Sequence, residues 1–393
     1  MIFAALPTGA GHGWGIVGMG IAREMARLIP GQVRLITQPF TPDSVGDELV
    51  HRELAALLPK AGEFVNPRVV NGVTQLEGPL LTCAADKDFS SFSPALRGSV
   101  TIGHAVFEEN VLQPTWLENA RRNFDFIATA STWCTRVLEG YGAKDTKTVI
   151  QGIDPRLFFP LPAELADSAR EFFRDQFVIF SGGKFEYRKA QDVVIRAVKV
   201  LQDRHPDVML INAWHNAWPQ SFDTMRQSPH LAWPGVSGSY PEVMAKILAH
   251  NGLDLTRVVT LGPRTNALMA RIYRNSDVGL FPNRCEGGTN LVMMEYMACG
   301  KPVIATAACG QADVIRPEYA LVVASPKEVA VKGSQGPVAH WPEPDLDDTV
   351  DKLEYAYAHR PQIDALGTGA AAAMTHFTWS KTTAEFLKLL QTA

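Results

Sequence analysis

One continuous stretch, residues 279–306, constrains this chain more than any other. It runs Gly-Leu-Phe-Pro-Asn-Arg-Cys-Glu-Gly-Gly-Thr-Asn-Leu-Val-Met-Met-Glu-Tyr-Met-Ala-Cys-Gly-Lys-Pro-Val-Ile-Ala-Thr and reads as strand, glycine loop, helix and strand. Gly287 and Gly288 carry no Cβ, so a ligand can approach the backbone closely. Thr289 or Asn290 caps a helix beginning near Leu291, whose free N–H groups and positive dipole end then point over the loop. Such an end binds anions. Gly300 stops the helix, and Pro302 keeps it from running into the buried strand Val303-Ile304-Ala305. Glu286 stands before the loop and Glu295 inside the helix. Phosphate at the helix end, with hydroxyl-binding carboxylates to either side, suits a nucleotide sugar.

The remaining composition narrows the alternatives. A chain of 393 residues predicts two domains, each able to bury its own core. A net charge of −4 argues against a nucleic-acid binder, and 13 Lys/Arg against 15 Asp/Glu in the first 150 residues give that half no basic excess for anionic lipid. A local basic face, and with it peripheral membrane contact, stays open. No apolar run approaches the roughly 18 residues of a membrane span, so no transmembrane segment is expected. The chain opens directly into an apparent strand, Ile2-Phe3-Ala4-Ala5-Leu6, without signal-peptide character. Five cysteines without zinc or redox spacing fit reduced thiols in a cytoplasmic protein.

Short apolar runs alternate with amphipathic stretches, which predicts parallel-sheet α/β domains. Strands are expected at 2–6, 33–37, 80–83, 100–103 and 126–129, with helices at 16–28, 47–58, 113–121 and 132–141. Three prolines and a glycine break the pattern across Gly152–Pro162, the expected interdomain linker and hinge. A second series follows: strands at 177–181, 208–213, 257–261 and 278–281, helices at 189–203 and 265–275, then the stretch described above. Residues 307–345 read as irregular. Asp347–His359 and Thr378–Leu390 read as closing helices, with a small alanine-rich helix at Gly369–Ala373.

Five ordered segments resemble the retaining GT-B glycosyltransferases, family 4 in particular (glycosyl transferases group 1). They are Glu286–Glu295 with Ala298–Ile304, Ser181–Asp192, Gln151–Pro155 with Phe159-Pro160, Phe124–Ser131, and Phe377-Thr378-Trp379. The resemblance covers about residues 100 to 390. It implies two Rossmann-like parallel-sheet domains facing a cleft, and a C-terminal helix that crosses back to the first domain. The boundaries expected are 1–155 for the acceptor side, 156–376 for the nucleotide-sugar donor side, and 377–393 for the crossing helix. Three departures stand out. Eight residues lie between Glu286 and Glu295 where the family has seven, Lys184 replaces the family's phosphate-binding arginine, and Ala213-Trp214-His215-Asn216 replaces a glycine-containing strand end.

The resemblance also implies roles. Lys184 and Lys189 would face the diphosphate, with Gly183 allowing close approach, although Lys184, Arg188 and Lys189 alone could equally be a solvated charge cluster. Glu295 would bind the ribose hydroxyls, and Glu286 a hydroxyl of the sugar ring. Gly287, Gly288, Thr289, Asn290 and Leu291 would carry the donor phosphates, and Arg264 would lie near the base. Across the cleft, the loop Gly11-His12-Gly13-Trp14 would face the donor phosphates and acceptor, with His104 and Glu108 positioning acceptor or sugar; His215 is a weaker candidate. Glu286, Lys189 and His104 are the catalytic candidates. The departing phosphate would take the acceptor's proton, and no metal or other cofactor is expected beyond a UDP- or GDP-linked sugar as co-substrate. The acceptor could be a glycan, a lipid-linked molecule or a small molecule.

Four rivals remain. A nucleotide-sugar epimerase on the same fold needs acid/base pairs near the sugar, and nothing marks them. An NAD(P)-dependent oxidoreductase is suggested by a G-x-G-x-x-G match at Gly13, Gly15 and Gly18, but Val33–Thr37 ends in Gln38-Pro39 and not in the acid that a ribose needs. A non-catalytic nucleotide-sugar binder would have no need of Lys189, Glu286 and Glu295 together. Two D-x-D matches, Asp86-Lys87-Asp88 and Asp345-Leu346-Asp347, would suggest a metal-dependent class, but both sit in the wrong setting.

Overall fold

The computed structural model describes all residues except 61–62, 64–67, 86, 163, 166–169, 171, 217–219, 236, 334–335 and 393. Among the described residues, two six-stranded parallel sheets form the frame. The first holds β1 (Ile2–Ala5), β2 (Val33–Ile36), β5 (Leu80–Cys83), β7 (Thr101–Ala105), β8 (Phe126–Thr129) and β9 (Thr146–Thr148), in the order β2-β1-β5-β7-β8-β9. A small separate sheet takes β3 (Arg68–Val70), β4 (Val73–Gln75) and β6 (Leu96–Arg97). The second large sheet holds β10 (Phe177–Gly183), β11 (Val208–Trp214), β12 (Val258–Thr260), β13 (Val278–Phe281), β14 (Val303–Thr306) and β15 (Leu321–Val323), in the order β12-β11-β10-β13-β14-β15. Helices cover both faces of each sheet, which is why β1, β5, β13 and β14 are buried at every position and are mostly apolar without alternation.

Each strand order reverses direction once, beside β1 in the first sheet and beside β10 in the second. Open α/β sheets leave a crevice beyond the carboxyl ends of the strands at such a point. The loops after β1, β10 and β13 therefore meet between the two lobes. The polypeptide crosses near Ile153 and returns at Phe377–Trp379, where Ile153 donates to Phe377 O at 3.0 Å and Trp379 donates to Ile153 O at 3.2 Å. The C-terminal helix Trp379–Thr392 then lies on the helix Gly13–Leu28, with Trp379, Phe386, Leu387 and Leu390 in the first lobe's core. Gly20 makes room for it, since a Cβ there would sit 2.6 Å from the Trp379 ring.

The expectation for 307–345 is corrected. Besides β15, the segment contains an antiparallel hairpin of β16 (Lys327–Gly333) and β17 (Gly336–Glu343), with a register shift at Val331/Lys332. Pro337 and Pro342 within β17 hide the strand pattern, because proline reads as a strand breaker except at an edge. The helix Tyr240–His250 is not among the expected elements, and the short helix expected at 369–373 extends over Arg360–Met374. Ser239 and Glu242 form a capping box at the start of the first, a signal present in the sequence. Trp379→Ala should cost about 3–5 kcal/mol, the range for emptying a buried tryptophan site; urea unfolding followed by circular dichroism measures it.

Candidate active site

The carboxyl ends of β1, β10 and β13 border a cavity of about 360 Å³ lined by both lobes. That volume lies in the range of small-molecule sites. Glu286, 5% exposed, lines it. Lys189 Nζ donates to its Oε1 at 2.6 Å, Arg188 Nη1 donates to its Oε2 at 2.8 Å, and the Asn283 amide donates to Oε1 as well. Burial pushes this carboxyl up, but Lys189 and Arg188 together hold it below the usual carboxylate range.

The cations come from a turn forced by local geometry. Gly183 ends β10 at φ +117°, where a Cβ would lie 3.1 Å from Lys189 Cδ. The 3-10 turn Tyr187–Lys189 follows, and Ala190 in the left-handed region turns the chain into the helix Gln191–Arg204. Arg188 also reaches Glu186 Oε1 at 2.7 Å and Glu108 Oε1 at 3.4 Å. Desolvation would lower its pKa, but Glu108, Glu186 and Glu286 raise it well above the ordinary value. Lys184 pairs with Glu186 at 3.3 Å, and burial followed by repulsion from Arg188 lowers its ammonium pKa. Arg188 is therefore a wall residue of the cavity and not a solvated neighbour, and sequence reasoning missed it. Only the fold turns it toward three glutamates.

The glycine loop is corrected in part. A Cβ on Gly287 would lie 2.3 Å from Phe107 O, and one on Gly288 would lie 2.4 Å from Gln151 Oε1. Ser131 Oγ donates to Gly287 O at 2.6 Å. These glycines are needed first so that the other lobe can come close. Gly288, Asn290 and Leu291 line the cavity, whereas Gly287 and the fully buried Thr289 do not. Asn290 is the helix cap: at φ +62° its Oδ1 accepts from Met293 N at 3.4 Å, and its amide donates to Gln311 Oε1 at 2.9 Å.

Midway along the helix Leu291–Ala298, Glu295 is 7% exposed and accepts from Tyr273 OH at 3.1 Å. Burial without a cation raises its pKa to about 8 despite that hydrogen bond. Tyr273 is a second lining residue that the sequence did not mark. Arg264 lines the same end, exposed, with Nη1 donating to Pro263 O at 2.9 Å. His215 also lines the cavity.

From the first lobe, Gly11, His12, Gly13, Trp14 and Glu108 line the opposite wall. His12 caps the helix Gly13–Leu28, its Nδ1 accepting from Gly15 N at 3.0 Å, and burial lowers its pKa. The glycine match there serves packing: Cβ atoms on Gly15 and Gly18 would lie 2.2 Å from Gly9 O and 1.9 Å from Pro7 O. His104 is corrected. It is 1% exposed within β7, Nδ1 meets Ala128 O at 3.0 Å, and its ring lies between Trp14 and Phe386 at centroid distances of 6.3 and 5.4 Å. Burial drives its pKa to about 4, and it does not line the cavity. It is a core histidine beneath the site.

Of the D-x-D matches, Asp345 caps the helix Leu346–Ala358 by accepting from Asp348 N at 3.0 Å, and Asp86 lies outside the described residues.

Comparison with known proteins agrees with this fold. Residues 176–333 match the family model of glycosyl transferases group 1. The D-inositol 3-phosphate glycosyltransferase of Saccharomonospora viridis is 29% identical over 252 residues, covering 63% of this chain and 50% of that protein. The protein of the same name from Kineococcus radiotolerans is 31% identical over 189 residues, covering 47% and 40%. The chain thus spans about half the length, or less, of these relatives. Among solved structures, HepE of Anabaena in complex with UDP and glucose superposes with a TM-score of 0.64 at 15% identity, covering 100% of this chain and 99% of that one. Sucrose-phosphate synthase from Thermosynechococcus elongatus gives 0.67 at 16% identity, covering 100% and 98%. At this identity the likeness carries the fold, which is GT-B.

Glu295 sets a pH signature. Its folded pKa of about 8 lies above its ordinary 4.5, so between those values the native state holds a proton that the unfolded chain releases. Its contribution to stability is full below pH 4.5 and is lost as pH rises through 8. Glu295→Gln should therefore gain stability relative to the unmutated protein as pH rises from 5 to 8.5. Urea midpoints at three pH values test this, and a constant difference would contradict it.

Proposed function

Because residues 176–333 match the family model of glycosyl transferases group 1 on a GT-B fold, we propose that this chain moves a hexose-type sugar from a nucleotide diphosphate sugar to an acceptor, with retention at the anomeric carbon. The observation that carries this reading is the ionised Glu286 held by Lys189 and Arg188 inside a cavity between two lobes. A carboxylate offers about four acceptor positions, and three are filled here, which leaves one for a sugar hydroxyl. The ammonium of Lys189 has three N–H groups, of which Glu286 takes one, so the same lysine can also face a diphosphate. Lys184 and the amino end of the helix at Leu291 complete an anion position. Glu295 lies about one turn further along that helix, and with Tyr273 it suits ribose hydroxyls.

In the proposed reaction, the bond from the anomeric carbon to the phosphate oxygen breaks, and the acceptor oxygen bonds to that carbon on the same face. Its proton passes to the departing phosphate oxygen. The residues stabilise negative charge as it builds on the leaving group, and one such preorganised donor is typically worth 10²–10³ in rate, about 3–4 kcal/mol. Charge balance would come from Lys184, Lys189 and the amino end of the helix at Leu291 without a metal ion. The acceptor would be read by Gly11–Trp14 and Glu108 on the first lobe. The division at 155/156 and 376/377 remains our proposal, supported by the crossing at Ile153 and the return at Phe377. Among the described residues no helix is long and apolar enough to cross a membrane, and the five cysteines are buried and unpaired, which suits a reducing cytoplasm.

UDP-glucose, UDP-N-acetylglucosamine and GDP-mannose are the first donors to test by thermal shift, with NADH as control, since binding to the native state raises its melting point. A sugar nucleotide should stabilise the protein and NADH should not; the reverse result would favour the oxidoreductase. With the donor identified, Lys189→Ala and Glu286→Ala should each lower kcat by about 10²–10³-fold, and chelator should leave the rate unchanged. Full activity in either variant would refute the assignment.

A further inference from the structure

Arg188 is one arginine among three carboxylates from two lobes. Its side chain is 12% exposed, at 2.8 Å from Glu286, 2.7 Å from Glu186 and 3.4 Å from Glu108. Glu286 and Glu186 belong to the second lobe, whereas Glu108 follows β7 of the first. The main chain around Glu108 is fixed from the second lobe as well. Trp341 Nε1 on β17 donates to Glu108 O at 2.8 Å, Val111 N donates to Val338 O at 3.1 Å, and His340 N donates to Asn110 Oδ1 at 2.8 Å. The hairpin thus reaches over the cleft edge and holds the segment that presents Glu108 to Arg188.

We propose that Arg188 is a positioning residue that fixes Glu286 at the sugar end of the cavity and ties it to Glu108, so that this end of the site is assembled only when the two lobes are together. A planar guanidinium can serve carboxylates on several sides at once, which a lysine ammonium on a flexible stem does less well. Removing it leaves three neighbouring carboxylates with only Lys184 and Lys189 as counter-charges. The groups facing Glu286 are Arg188 and Lys189 on the 3-10 turn and Asn283 just after β13. Lys184, Glu186 and Glu108 act through Arg188. With Arg188 gone, burial acts on Glu286 against Lys189 and Asn283 alone.

The inference rests on the glycosyltransferase reading for its kinetic readout but not for its structural one. The first experiment uses the protein without any sugar nucleotide: ¹³C-labelled glutamate NMR titration of the unmutated chain, Arg188→Lys and Arg188→Gln, with Glu286→Gln to assign the resonance. In Arg188→Gln the Glu286 midpoint should rise by about one pH unit or more, the scale of one lost charged hydrogen bond, and Arg188→Lys should restore part of it. Small-angle scattering of Arg188→Gln and Glu108→Gln should show a larger radius of gyration than the unmutated chain. The second experiment follows kcat against pH with the donor found above; the acid limb should move to higher pH in Arg188→Gln, with donor KM little changed. An unmoved Glu286 resonance with unchanged scattering would overturn the proposal. If no nucleotide sugar binds the unmutated chain, the functional reading fails, while titration and scattering still decide the role of Arg188.

Discussion

The structure of the site depends on one buried charge interaction, the pairing of Glu286 with Lys189 and Arg188. A carboxylate this deeply buried would ordinarily take a proton, and two cations on a single short turn prevent it. Their position follows from Gly183 and from Ala190 in the left-handed region, which fold Lys184–Lys189 back over the end of β10. The opposite case lies a helix away. Glu295 has a tyrosine hydroxyl and no cation, and its pKa rises accordingly. Two glutamates of similar burial on one loop–helix unit thus carry different charge near neutral pH, because only one has counter-ions.

That unit is also where the lobes touch. Gly287 and Gly288 admit Phe107 and Gln151, Ser131 holds the Gly287 carbonyl, and Thr132 N meets Asp313 at 2.7 Å. The same few residues therefore shape the anion position and the interlobe contact. The hairpin β16–β17 extends this contact through Trp341 and the Asn110–His340 pair. A movement between the lobes would disturb Glu108 and Arg188 before it reached Glu295.

Much of this was legible in the sequence where a local rule has one outcome. Strand, loop, helix and strand at 279–306 follow from apolar runs, Gly300 and Pro302, and the structure places them within a residue or two of expectation. The hairpin was not legible, because prolines at 337 and 342 interrupt the alternation that marks strands. Gly287 was legible as a position that needs no side chain, but what approaches it was not. His104 shows the same gap: a histidine at a strand end reads as functional, yet Trp14 and Phe386 enclose it in the core.

The amino-acid sequence alone determined the two parallel-sheet lobes, the capped helix at Leu291 and the presence of Lys184, Lys189, Glu286 and Glu295 near strand ends, because periodicity and capping act over a few residues. Tertiary structure alone decided which charges meet. Arg188 lies 98 positions from Glu286 and 80 from Glu108, and no local pattern encodes a contact across such separations. Whether a buried carboxylate stays ionised depends on the cations that the fold brings to it, and for Glu286 that was settled by packing within the second lobe.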